Sequence, residues 1–179
     1  LRLEAHLEHR GAQGLAQGFT YFDVYITALP PATWAGAVRE STDGGSLNFA
    51  LPVNVREPGH YVVTGVVDDA NGKPYAHLTF NDTVPAGAGE FRLLIFGKLL
   101  HDAPPVFPLA LRDVVAFRLR EEGHPDRLLM PQRAGRVHVS GRHALASFSN
   151  VEWSDDARQR YLAELSSDVE EARRRLDVL

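Results

Sequence analysis

Residues 57 to 80 read Glu57-Pro58-Gly59-His60-Tyr61-Val62-Val63-Thr64-Gly65-Val66-Val67-Asp68-Asp69-Ala70-Asn71-Gly72-Lys73-Pro74-Tyr75-Ala76-His77-Leu78-Thr79-Phe80. Tyr61, Val63, Gly65 and Val67 recur with the period of two that puts alternate side chains on one face of a strand. Asn71-Gly72 then separates this run from a second one, Tyr75 to Phe80. Both residues tolerate the positive φ of a type I′ turn, so the stretch predicts an antiparallel hairpin.

The same texture extends in both directions. Upstream, Leu47, Phe49, Leu51, Val53 and Val55 alternate cleanly, with Pro52 pointing to an edge or a bulge. Trp34 to Arg39 is a weaker strand, closed by the turn-forming Ser41-Thr42-Asp43-Gly44-Gly45. Phe19 to Ala28 is an aromatic and β-branched strand ending at Pro30-Pro31, and Leu1, Leu3, Ala5 and Leu7 alternate with polar residues before it. Downstream come Phe91 to Gly97 and a long strand from Leu109 to Leu119, with Leu109, Leu111, Val115, Phe117 and Leu119 on one face. Eight short strands separated by turn chemistry predict an antiparallel sandwich over residues 1–120.

After Arg120 the texture changes. Residues 121–179 read as a polar connection, two short β segments (Arg136–Val139 and Ala144–Phe148) and a helix over about 154–176. Ser154-Asp155-Asp156 offers a capping hydroxyl and two acids at the positive end of the helix dipole. Leu162, Leu165, Val169, Ala172, Leu176 and Leu179 then follow three-four spacing, and Arg173-Arg174-Arg175 sit near the carboxyl end. The expectation is a helix that docks on the sandwich, with a partner seam as the other use of the stripe.

The 179 residues are 44% hydrophobic and carry 19 Lys+Arg against 23 Asp+Glu, a net charge of −4. That excludes wholesale disorder, and without a basic stripe it makes a poor nucleic-acid binder. No apolar run reaches the ~20 residues of a membrane helix. Cysteine is absent, which removes disulfides and thiol chemistry. The only methionine is Met130 and the chain opens at Leu1, so it reads as a processed piece of something longer. No signal peptide is visible.

Pro58-Gly59-His60-Tyr61-Val62-Val63 resembles the corner tyrosine of immunoglobulin-like sandwiches. The resemblance implies that the Tyr61 hydroxyl ties back to nearby backbone and that Val63 fills the core where antibody domains place a cysteine. Together with Phe91-Arg92-Leu93-Leu94-Ile95-Phe96-Gly97-Lys98 and Phe107-Pro108-Leu109-Ala110-Leu111-Arg112-Asp113-Val114, the pattern is similar to immunoglobulin-like accessory modules of uncharacterised bacterial exported proteins. It covers roughly Phe49 to Leu119. The resemblance implies a secreted or periplasmic, non-enzymatic module that meets neighbouring domains or another protein.

Candidate chemistry is sparse. Phe22, Val24 and Ile26 are expected to point into the core, leaving Phe19, Tyr21 and Tyr25 with Asp23 on the opposite face. Such a strip, with Trp34 or Trp153 in support, is the candidate ligand surface of a carbohydrate-binding module. Burial of the strip under the helix is the structural alternative. Asp68-Asp69-Ala70-Asn71-Gly72 looks like a calcium loop, but aligning Gly72 with the loop glycine puts Val67 and Leu78 at ligand positions, which excludes an EF-hand. A looser calcium site near Asp68–Asn71 stays open. His6, His9, His60, His77, His101, His124, His138 and His143 are scattered and form no helical metal-binding pair. No nucleophile elbow, phosphate loop or dinucleotide fingerprint occurs. The sequence therefore predicts no catalytic residues, no cofactor and no metal.

Overall fold

The computed structural model describes residues 1–11, 14–24, 26–120, 126–152 and 156–176. The strands are β1 (Arg2–Gly11), β2 (Gly14–Asp23), β3 (Ala32–Trp34), β4 (Arg39–Asp43), β5 (Ser46–Val55), β6 (Gly59–Asp68), β7 (Pro74–Val84), β8 (Gly87–Ile95), β9 (Ala110–Leu119), β10 (Arg127–Leu129) and β11 (Arg133–Val139). Two helices, α1 (Gly97–Asp102) and α2 (Asp156–Leu176), complete the set. The chain is mainly β, with antiparallel sheets and a C-terminal helix. In one sheet β5 is central, with β8 on one side and β3 and β4 sharing the other. In another, β6 lies between β7 and β9, and β10 and β11 both add to β9. β1 and β2 pair only with each other among the described residues.

The β5 and β6 sheets share one core. Leu47, Phe49, Leu51 and Val53 from β5 and Phe91, Leu93 and Ile95 from β8 meet Tyr61, Val63, Val67, Leu111, Val114 and Ala116. The Phe91 ring bridges the layers, 5.5 Å from Tyr61 and 5.3 Å from Phe80. Each fully buried large side chain contributes about 1.5–3 kcal/mol, which holds the layers together in a chain without cysteine.

Tyr61 anchors one corner of this core. Its ring is buried, and its hydroxyl donates to the Glu57 carbonyl at 2.6 Å with the Pro31 carbonyl at 3.1 Å. Pro31 also accepts from the backbone amides of Arg56 and Glu57, so the start of β3 and the β5–β6 turn are tied at one point. Val63, two residues on, is fully buried.

Three local readings are corrected. The β6–β7 turn is not a two-residue type I′ turn, because among the described residues only Asp113 of the non-glycines has positive φ. Instead the Asp69 carboxylate accepts from the amides of Asn71 and Lys73, and Gly72 alone takes the left-handed conformation, at φ 76°. The two-residue turn lies at Gly44-Gly45, with φ of 55° and 75°, between Asp43 and Ser46. Pro52 sits within the central strand β5, not at an edge. It falls between the residues paired with β4, up to Ala50, and those paired with β3, from Val53, where a missing amide breaks no ladder.

The third correction is in β9. The sequence puts Val115 and Phe117 on the core face with Leu111; the structure buries Val114 and Ala116 instead. Parity changes at a bulge centred on Asp113, whose φ is 52°: pairing jumps from Thr64–Val115 to Val66–Arg112. Arg112 donates to Asp113 at 2.7 Å and to both Asp68 carboxylate oxygens, and the Gly135 amide donates to Asp113 at 2.7 Å. Opposite the bulge stands Gly65. A Cβ there would lie 2.9 Å from Leu111 and 3.2 Å from Leu93. A side chain at this position would have to displace the ends of both leucines.

Two longer-range expectations also change. β10 and β11 belong to the sheet of β9, and Met130 and Phe148 lie in the core, so these later residues contribute to the sandwich. Ala144–Phe148 is not a strand; Leu145–Ser147 is a single 3-10 turn. Helix α2 forms, but among the described residues its apolar stripe is not covered by the sandwich. Leu165 and Val169 on its stripe are 41% and 50% exposed. The stripe is narrow and flanked by Glu164, Asp168 and Arg173, and the two sheets have already satisfied their apolar faces on each other. The expected cap residues Ser154 and Asp155 lie outside the described residues.

Candidate interaction surface

The β1–β2 ribbon is the element with the most surface to offer. Register runs from Arg2 opposite Asp23 to Gly11 opposite Gly14, and Leu1 and Val24 extend it by exchanging backbone hydrogen bonds at 2.7 and 3.0 Å. Cross-strand pairing sorts the side chains into two faces. Leu3 and Phe22 are opposite one another, as are Ala5 and Thr20, and Leu7 and Gly18. This face is apolar. It is also uncovered: Phe22 is 62% exposed, and Leu3 and Leu7 are exposed beside it. The expectation that Phe22, Val24 and Ile26 enter the core is overturned for this reason, since among the described residues no second sheet lies over them and all three are exposed.

The opposite face carries the proposed ligand strip. Phe19 is 69% exposed and Tyr21 51%, so the helix does not bury them. Tyr25 lies outside the described residues, as does Trp153. Arg2 forms two hydrogen bonds with Asp23, at 2.8 and 3.0 Å, and its guanidinium carbon stands 4.1 Å from the centre of the Tyr21 ring. The neighbouring ring, Phe19, stacks on His6 at 6.2 Å. Each aromatic therefore has a cationic or imidazole neighbour on it, a zipped polar-aromatic face. Trp34 is elsewhere. Its indole nitrogen donates to the Pro131 carbonyl at 2.7 Å and its ring meets Phe91 edge-on, a role in the sandwich wall.

Sequence reading missed a third cluster. Glu40 on β4 accepts from His143 Nε2 at 2.8 Å, from His138 Nε2 at 3.3 Å and from the Gly141 amide at 3.0 Å. Phe107 and Phe148 pack on the His143 ring, and Phe49 on His138. Burial pushes the Glu40 carboxyl up, but the Gly141 amide and the two imidazoles together hold it below the ordinary glutamate value. His101 Nε2 lies 3.1 Å from the Phe148 carbonyl, so three imidazoles fasten residues 138 to 148 to the sandwich. Only the five-residue spacing of His138 and His143 hinted at this. Their acid partner is about a hundred residues away in sequence.

The calcium question has a local answer. Both Asp68 oxygens are engaged by Arg112, and the Asp69 carboxylate is used by two turn amides. Among the described residues no group of three or more His, Asp or Glu side chains is arranged to hold a metal ion. No described helix is long and apolar enough to cross a membrane.

No family model matches the chain, and no curated protein does. Among solved structures, the chain is similar to that of a DUF4785 (domain of unknown function) family protein from Legionella pneumophila subsp. pneumophila str. Philadelphia 1. Identity is 18% and the TM-score 0.48, over 76% of this chain and 35% of that one. This chain thus spans about a third of the length of that protein.

Proposed function

We propose that this chain is a non-enzymatic interaction module, a sandwich scaffold that presents the β1–β2 ribbon to another protein or to a neighbouring domain of the same polypeptide. The observation that carries the reading is the uncovered apolar face of Leu3, Leu7 and Phe22 on a ribbon with two open edges. A two-stranded ribbon is marginal in water by itself, so covering this face stabilises both ribbon and complex. The unpaired backbone groups along its edges give a partner strand a ladder to join. In keeping with the resemblance to accessory modules, the parent protein is a bacterial one, exported to the periplasm or beyond.

The test is comparative capture from the producing cell with the wild-type chain, Phe22→Asp and the sandwich-surface variant Thr79→Asp. Partners held by wild type and Thr79→Asp but lost by Phe22→Asp support the reading. Identical capture by all three overturns it.

One observation favours a second reading, a carbohydrate-binding module: Phe19 and Tyr21 remain exposed on the other ribbon face beside Asp23. Tyrosine and phenylalanine rings stack on the apolar faces of sugars. A glycan array on which wild type binds and Phe19→Ala does not would carry it; background signal for wild type removes it.

A further inference from the structure

From the helix left undocked we infer that α2 is a dimerisation element, pairing in parallel and in register with α2 of a second copy of this chain. The stripe Leu162, Leu165, Val169 and Ala172 is spaced by three, four and three residues, which places Leu162 and Val169 at a positions and Leu165 and Ala172 at d positions of a heptad. Leu176 continues the a series. All four of the first residues are exposed, and the long sandwich cores are built without them. Val169 at a beside Leu165 at d is the one layer of the stripe with the β-branched and leucine combination that favours two parallel strands, and the small Ala172 at d lets the helices approach closely.

Charge selects the same occupant and orientation. In this register Asp168 falls at g and Arg173 at e, five residues later. A parallel pair brings g of one helix against e of the other, so Asp168 meets Arg173 of the second copy, twice by symmetry. An antiparallel pair centred on the stripe instead sets Asp168 against Asp168, a like-charge contact. Arg175, the next g residue, is paired within its own helix, donating to Glu171. The remaining faces are polar, with Glu164, Ser167, Glu170 and Arg174 away from the seam, as a two-stranded rather than a larger bundle requires.

The seam is separate from the ribbon, so its failure leaves the ribbon reading standing. Since the chain has no cysteine, a single introduced thiol reports geometry cleanly. Ala172→Cys, at d, is expected to form an interchain disulfide on mild oxidation, whereas Arg174→Cys, on the outer surface, is not. Sedimentation equilibrium at chain concentrations up to the millimolar range is expected to give a concentration-dependent dimer. Asp168→Arg weakens it by about three- to ten-fold, the loss of two exposed ion pairs and their replacement by repulsion, and adding Arg173→Asp restores it. Leu165→Asp leaves a monomer, and Phe22→Asp on the ribbon leaves the dimer unchanged. A wild-type monomer at millimolar concentration overturns the inference. So does a dimer insensitive to Leu165→Asp, cross-linking of Arg174→Cys equal to that of Ala172→Cys, or a charge-reversed double variant that fails to recover.

Discussion

The Tyr61 hydroxyl donates to the Glu57 carbonyl across a turn of four residues, at 2.6 Å, from a ring that is wholly buried. One bond thus fixes where β6 leaves the turn, and with it the position of Val63 in the core. Tyr61→Phe keeps the ring and removes the donor, taking from the Glu57 carbonyl its tyrosine bond while the Pro31 carbonyl keeps the amides of Arg56 and Glu57. Urea unfolding is expected to show a loss of about 1–3 kcal/mol with an unchanged denaturant slope.

Gly65 and the Asp113 bulge form a second matched pair. Adding a methyl group at Gly65 pushes into Leu111 of the same sheet and Leu93 across the layer. Gly65→Ala is expected to destabilise the sandwich by about 1–3 kcal/mol, seen as a lower melting midpoint. A neutral or stabilising result would mean that the bulge can relax.

Acid should find Glu40. Its folded carboxyl titrates below the ordinary glutamate value of 4.5, so the stability it contributes is complete above that pH and is lost as pH falls through the lower, folded value. Glu40→Gln is expected to cost about 1–3 kcal/mol at neutral pH, because charge-assisted bonds from Gly141, His138 and His143 are weakened. The gap between variant and wild type closes in strong acid. Chemical denaturation across a pH series measures this directly, and a gap independent of pH contradicts it.

Phe22→Asp and Leu165→Asp alter exposed side chains on elements outside the shared core. Both are expected to leave the main unfolding midpoint within about 0.5 kcal/mol of wild type. A larger loss in either variant would show that ribbon or helix packs against the sandwich in solution.

These outcomes follow from how unevenly the sequence discloses the structure. The alternation of Leu47 to Val55 and of Tyr61 to Val67 is local, so β5 and β6 were legible, and so was the three-four spacing of α2. The Asp113 bulge was not, because a one-residue slip of parity depends on Arg112, Asp68 and Gly135 arriving from three strands. Amphipathic pattern told which face of β2 and of α2 is apolar, but not whether anything covers it. Phe22 and Leu165 look like core residues in sequence and are surface residues in the fold. The Glu40 cluster depends wholly on tertiary proximity, bringing β4 against β11 and the turn beyond it.

The central claim is that the sandwich is the scaffold and the ribbon the recognition element. Amide hydrogen exchange of the wild-type protein, alone and in complex with a captured partner, tests it most directly. The account predicts fast exchange across Arg2–Gly11 and Gly14–Asp23 in the free protein, slow exchange across β5 and β6, and protection of the ribbon on binding. A ribbon already protected in the free monomer, or one that stays unprotected in the complex, would contradict it.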